Sequence, residues 1–127
     1  MRLLLDTSVL IDHLRGHRPA VALLSAAAER RDELWSVTVV RTEILAGMRP
    51  RERTATHALL AALRWQDVTV ELADRAGEHA ARHLRSHPGV DTVDYLIAAA
   101  AELLEARLQT LNVKHFPMFP HLAPAYR

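Results

Sequence analysis

The sequence predicts an α/β protein of three layers, with a central, mainly parallel sheet flanked by helices on both faces. Three observations carry this. Short apolar runs alternate with longer stretches of helical periodicity along the chain, the pattern of strand–helix–strand crossovers. The first run, Leu3 to Leu5, is continuously apolar and stops at Asp6, as a buried parallel strand does at the carboxyl edge of its sheet. Half of the residues are hydrophobic, yet few are aromatic and Ala and Leu dominate, which favours close-packed helices over a β-sandwich.

Taken in order, Leu3–Leu5 is the first strand. Thr7 or Ser8 can cap a short helix to about Leu14, Gly16 to Pro19 break the chain, and a second helix runs from Pro19 to Arg30. Leu34–Val37 is a short strand. Thr38 can cap the next helix, which carries Val39, Val40, Ile44 and Leu45 inward and ends near Gly47 and Pro50. Arg51–Leu63 reads as a helix with Ala58, Leu59, Ala62 and Leu63 on its apolar face, and Trp65–Val70 alternates like a strand. Glu71–Leu84 is helical, and Ser86-His87-Pro88-Gly89 is a loop. Asp91 or Thr92 opens a strongly apolar helix to about Ala106, and Leu108–Leu111 is the last buried strand. The tail, with Pro117, Pro120 and Pro124, has room for short turns and at most an edge strand. At 127 residues the chain is expected to be one domain, 1–127.

Composition narrows the function classes. The formal charge is only +1, so charge alone does not announce a nucleic-acid binder, although eight histidines would make the chain basic in mild acid. With no cysteine, a disulfide framework, a thiolate nucleophile and a Cys-based zinc site are all excluded. The start, Met1-Arg2-Leu3-Leu4-Leu5-Asp6, lacks the apolar core of a signal peptide, and no run approaches the roughly 20 apolar residues of a membrane span. A cytoplasmic location without membrane contact is the expectation.

Three carboxylates fall where a parallel sheet places its chemistry. Asp6 ends the first strand, Glu43 lies on the helix after the second, and Asp94 lies in the first turn of the helix before Leu108. Sites in such sheets form outside the carboxyl ends of the strands, so these distant residues converge there, with Asn112 just past the last strand. Each acid alone has an ordinary use: Asp6 as a helix cap, Glu43 as a solvated charge, Asp94 at the positive end of its helix dipole. Together they form an oxygen-donor set suited to Mg²⁺ or Mn²⁺, which can activate water for attack on a phosphodiester without any side-chain nucleophile.

The segments Asp6-Thr7-Ser8-Val9-Leu10-Ile11-Asp12, Glu43 with Gly47, Asp94-Tyr95-Leu96-Ile97-Ala98-Ala99-Ala100-Ala101, and Thr110-Leu111-Asn112 with His115-Phe116 resemble, in order and spacing, the signature of PIN-domain toxins of the VapC type. The resemblance spans nearly the whole chain. It implies a PIN-like fold and a Mg²⁺- or Mn²⁺-dependent endoribonuclease, usually a homodimer, that is silenced by a partner antitoxin. It places the three main acids on Asp6, Glu43 and Asp94, a fourth, often aspartate, on Asn112, and a small hydroxyl on Thr7 or Ser8. An amide at 112 keeps a carbonyl oxygen but lowers the negative charge of the site. Asp91 could compensate through a water, although it reads first as an N-cap.

Other residues are read more plainly. His79 and His83 stand four apart without a third partner, so a solvated helix face is expected. His115 lies beside the site, where it could touch RNA, while the His-Phe pair of the resemblance fastens this loop with Phe116 in the core. Lys114, Arg41 and Arg2 are candidates for phosphate contact, Trp35 and Trp65 for core packing rather than stacking on bases, and Tyr95 for either packing or stacking; Asp12 reads as structural or antitoxin-facing. An antitoxin helix could lie between the first helices and the helix after Thr38, on Val9, Leu10, Leu14 and Leu45, with a guanidinium in the acidic pocket. Two rivals stand beside this reading. A phosphatase of the haloacid-dehalogenase type would want a second acid where Ser8 stands, and a degenerate PIN domain would only bind RNA or a partner. Neither the target RNA nor the cleavage position is legible.

Overall fold

The computed structural model describes all 127 residues. Four strands, β1 (Arg2–Leu5), β2 (Glu33–Val37), β3 (Arg64–Gln66) and β4 (Arg107–Gln109), form one sheet in the order β3-β2-β1-β4. Every neighbouring pair is parallel, with Leu4 beside Trp35 of β2 on one side and Leu108 of β4 on the other. The helices are α1 (Thr7–Leu14), α2 (Arg18–Glu29), α3 (Thr38–Ala46), α4 (Arg53–Ala62), α5 (Val70–His83) and α6 (Thr92–Leu103), with 3-10 turns at Pro50–Glu52 and Val113–His115. The three-layer α/β expectation therefore holds.

The strand order fixes where chemistry can occur. From β1 the chain steps outward through β2 to β3, and then returns across the sheet to β4 on the far side of β1. With right-handed crossovers, α1 to α4 cover one face and α5 with α6 the other. The crossover that leaves β1 and the one that enters β4 thus lie on opposite faces, and a crevice opens between the carboxyl ends of these neighbours. Leu4, Leu5, Val9, Leu10, Val37, Val40 and Ile97, each at most 1% exposed, fill the layers on either side. At about 1.5–3 kcal/mol for each fully buried aliphatic side chain, these residues hold the crevice walls in place. Ala98 to Ala101, all buried, let α6 lie close to the sheet.

Several local expectations are corrected. Asp6, not Thr7 or Ser8, caps α1, its carboxylate accepting from the Thr7 backbone N–H at 2.7 Å. Thr38 is the first residue of α3, and its cap position is Val37, which has no polar side chain to offer. The inward face of α4 is Thr56, Leu59 and Leu60, followed by Leu63, whereas Ala58 and Ala62 are exposed, a rotation of the stripe by about one residue. The strand expected over Trp65–Val70 is only Arg64–Gln66, because Thr69 caps α5 through its hydroxyl and takes the chain out of the sheet. Helix α6 stops at Leu103 rather than near Ala106, with Glu105 in the left-handed region (φ 50°) turning the chain into β4. The tail adds no edge strand; its Ala125 N–H makes a single backbone bond to the Thr110 carbonyl, 2.9 Å.

Candidate active site

Asp6 stands where β1 ends, its backbone N–H bonded to the Gln109 carbonyl of β4 at 3.0 Å, so the carboxylate is fixed at the crevice between the two strands. Its side chain is buried and its oxygens are already engaged. Oδ1 takes the Thr7 N–H, and Oδ2 accepts from the Ser8 hydroxyl at 3.3 Å and the Thr110 hydroxyl at 2.6 Å. Thr110 also accepts the Asn112 backbone N–H on its hydroxyl, 3.0 Å, and the Ser8 oxygen accepts the Leu111 N–H, 3.3 Å. The turn after β4 is thereby fastened to the start of α1. Thr110 had a place in the sequence signature but no assigned role in the site. The available signal was a hydroxyl residue one past the end of the strand that neighbours β1.

Glu43 reaches the same place from α3: the Thr7 hydroxyl donates to its Oε1 at 2.9 Å. Asp94 arrives from the N-terminus of α6, which runs back from the carboxyl edge of the sheet. Asp91 and Asp94 form a reciprocal capping box, with Asp94 N–H to Asp91 Oδ1 at 3.0 Å and Asp91 N–H to Asp94 Oδ2 at 3.1 Å. Asp91 is thus the N-cap the sequence suggests. His115 Nδ1 lies 3.3 Å from Asp94 Oδ2. Burial pushes the Asp94 carboxyl up to about 6, and the negative charges of Asp91 and Asp6 add to that, while the Asp91 N–H and His115 pull the other way.

A cleft of about 290 Å³ gathers Asp6, Thr7, Ser8, Glu43, Asp91, Asp94, Asn112 and His115, with Ile11 and Val93 as its apolar wall. The acids, hydroxyls, amide and imidazole named from the sequence as the metal site and its surroundings all line this cleft, whereas Lys114, Arg41 and Arg2 do not. Four carboxylates face one imidazole there, an excess of negative charge that a dication would relieve. No three of the chain's acidic and histidine side chains stand close enough to hold one ion among themselves. The donor set fits a hard cation that takes one or two carboxylates and keeps most of its water, the habit of Mg²⁺, rather than a closed cage.

Other residues fall away from the cleft. Arg2, at the opposite end of β1, bonds to Glu33 (3.2 Å) and to the Leu104 carbonyl (3.0 Å), so it is no phosphate ligand of this site. Arg41 stacks over Trp65 at 5.2 Å, and both tryptophans pack against the core. His79 is buried rather than solvated, with its Nε2 on Glu102 of α6. Tyr95 is buried with its hydroxyl unpartnered, and Phe116 is in the core as expected. Asp12 is structural, accepting from Tyr126 at 2.7 Å. Val9 and Leu10 are fully buried and offer nothing to a partner. A second cleft does open between α1 and α3, lined by Ile11, Leu14, Glu43, Ile44 and Met48 with Arg15 and Arg49 at its sides.

The chain is similar to known proteins along nearly its whole length. The PIN domain profile matches residues 3–116. Ribonuclease VapC19 of Mycobacterium tuberculosis is 46% identical over 123 residues, 97% of this chain and 98% of that protein. Ribonuclease VapC10 of the same organism is 45% identical over 125 residues, 98% of this chain and 92% of that protein. In fold, the chain matches the crystal structure of VapBC2 from Rickettsia felis bound to a promoter DNA fragment, with a TM-score of 0.78 at 22% identity, covering 98% of this chain and 97% of that one. With its acid-lined crevice between β1 and β4 and this likeness along almost its full length, the chain belongs to the PIN-domain family and, within it, to the VapC ribonucleases.

Proposed function

We propose that the chain is a Mg²⁺- or Mn²⁺-dependent endoribonuclease and the toxin of a toxin–antitoxin pair, working as a single domain and a homodimer in the cytoplasm. The observation that carries the reading is the meeting of Asp6, Glu43, Asp91, Asp94 and Asn112 in one cleft of a chain 46% identical to a named ribonuclease. The solved toxin–antitoxin complexes of the same fold support the partner, and the absence of any helix long and apolar enough to cross a membrane accords with the location.

Asp6 and Asp94 would hold the cation, with Glu43 and Asn112 contacting it directly or through its waters. When bound, the cation supplies an activated water and offsets the charge that builds on the scissile phosphate. The protein contributes placement. The hydroxyls of Ser8 and Thr110 aim the Asp6 carboxylate, Thr7 holds Glu43, and the capping box holds Asp94 at the mouth of its helix. His115, half-exposed at the rim, is placed to donate from its ring to a phosphate oxygen of RNA. No second acid stands two residues after Asp6, and the Ser8 hydroxyl found there is committed to Asp6 and Leu111, which disfavours a phosphoaspartate route.

The test is cleavage of RNA by the purified chain with Mg²⁺ or Mn²⁺, with EDTA, and with Asp6→Asn and Asp94→Asn. Activity lost by more than about a hundredfold in each variant is expected, beyond the range that loss of a ligand's supporting hydrogen bond reaches. Full activity in EDTA or in either variant would overturn the metal assignment. RNA binding without cleavage by the wild type would leave the binding-only reading in its place.

A further inference from the structure

We infer that the C-terminal tail is a working part of the acidic site: Ala125 and Tyr126 strap the turn after β4 to α1 and thereby hold Thr110, the residue that aims Asp6. This deepens the nuclease reading and rests on Asp6 being a functional carboxylate. The tail lies beyond residues 3–116, the segment that the PIN domain profile matches.

The chain of contacts is continuous. Tyr126 donates its hydroxyl to Asp12 Oδ2 at 2.7 Å and lays its ring against His17, centroids 5.6 Å apart. One residue earlier, the Ala125 N–H donates to the Thr110 carbonyl at 2.9 Å. Thr110, fully buried, donates to Asp6 Oδ2 at 2.6 Å. Asp12 lies one turn beyond Ser8 on α1, and Ser8 accepts from Leu111 at 3.3 Å. The tail therefore bridges the two elements, α1 and the Thr110–Asn112 turn, whose separation sets the distance from the Thr110 hydroxyl to Asp6. Phe119, Leu122, Ala125 and Tyr126 also pack on the core, which seats the strap. A tail that only covered apolar surface would need neither the tyrosine hydroxyl nor an aspartate to receive it. In this arrangement Tyr126 and Thr110 are positioning residues.

The strap is tested with Tyr126→Phe, which keeps the ring and loses the bond, Asp12→Asn, which keeps an acceptor for the tyrosine, and a chain ending at Pro124. Three quantities are read on each folded protein: kcat and KM for RNA, the dissociation constant for Mn²⁺ alone by paramagnetic resonance, and hydrogen-exchange protection of the Asn112 N–H. Tyr126→Phe and the shortened chain should lower kcat about tenfold with KM little changed and weaken Mn²⁺ by a similar factor, the lower end for loss of outer support to a ligand. Both should also lose protection at Asn112, while Asp12→Asn should stay near wild type in all three. If the shortened chain fails to fold, Tyr126→Phe decides alone. Unchanged kcat, Mn²⁺ affinity and protection in Tyr126→Phe overturn the strap. A wild type that neither cleaves RNA nor binds Mn²⁺, but whose Asn112 protection still depends on Tyr126, upholds the strap and overturns the nuclease reading.

Discussion

Thr110 donates its hydroxyl to Asp6 across 104 positions of sequence, at 2.6 Å, the shortest hydrogen bond that either residue makes. The same hydroxyl accepts the Asn112 N–H, so one buried oxygen joins the end of β1 to the turn that carries Asn112 and His115. Thr110→Val keeps the shape and removes both bonds. Leaving those buried partners unpaired should cost about 1–3 kcal/mol of stability. RNA cleavage should fall about 10- to 100-fold. Thr110→Ser should keep most of each. Denaturant unfolding and a cleavage assay check the pair, and wild-type rates in Thr110→Val would show that Asp6 needs no such support.

The carboxyl of Asp94, raised to about 6 by burial and by its acidic neighbours, gives a pH signature. Because the folded protein binds this proton more tightly than the unfolded chain does, the cost of the buried charge is absent below about pH 4, grows through the interval up to about 6, and is complete above it. Asp94→Asn removes the cost. In metal-free buffer the variant should therefore melt above the wild type at pH 7.5, and the gap should close as pH falls from about 6 to about 4. A gap of constant size at all pH values would contradict the buried-charge account. Mg²⁺ should narrow the gap at pH 7.5 by stabilising the wild type alone.

Asn112 borders the cleft through an exposed side chain, and its backbone N–H, not its amide, holds the turn. Asn112→Asp should therefore leave the fold intact and tighten Mg²⁺. A unit charge about 4 Å from a dication is worth about 2 kcal/mol even with the screening of bulk water, more than tenfold in affinity. Calorimetry measures it. Unchanged affinity would place residue 112 away from the cation.

The residues that sequence reveals best are those with a local signature. Asp6 stands out because an apolar strand stops on it, and Asp94 because a cap three residues earlier announces its helix. Glu43 is found only through the order of segments, since nothing local separates it from a solvated helix charge. Thr110 and Tyr126 are hidden for the same reason: their partners, Asp6 and Asp12, are more than a hundred residues away, and no periodicity records such a bond. The strand at Trp65 reads too long because alternation continues through Val68 and Val70 after the sheet has ended, both of which are exposed. His79 reads as solvated because its burial comes from α6, a neighbour that helix spacing alone does not supply.

The last prediction concerns the antitoxin. Val9 and Leu10 are sealed in the core, and the surface we propose for a partner helix is the cleft between α1 and α3, lined by Ile11, Leu14, Ile44 and Met48. This cleft shares Ile11 and Glu43 with the acidic one, so a segment laid along it is led directly to the carboxylates. A guanidinium carried there would meet Glu43, Asp6 and Asp94 with paired, charge-assisted hydrogen bonds and take the place of the cation. Met48 is half-buried, outside any helix, and touches none of the acidic site's named hydrogen bonds. Met48→Glu should thus weaken the partner at least about tenfold, as loss of a central apolar anchor does, while RNA cleavage by the free chain stays at the wild-type rate. Coexpression with the neighbouring open reading frame, copurification and light scattering give the affinity and the number of copies. A variant that binds the antitoxin as tightly as wild type would move the docking surface elsewhere. A wild type that is monomeric, harmless when expressed alone and without a neighbour-encoded partner would leave a nuclease that is not a toxin.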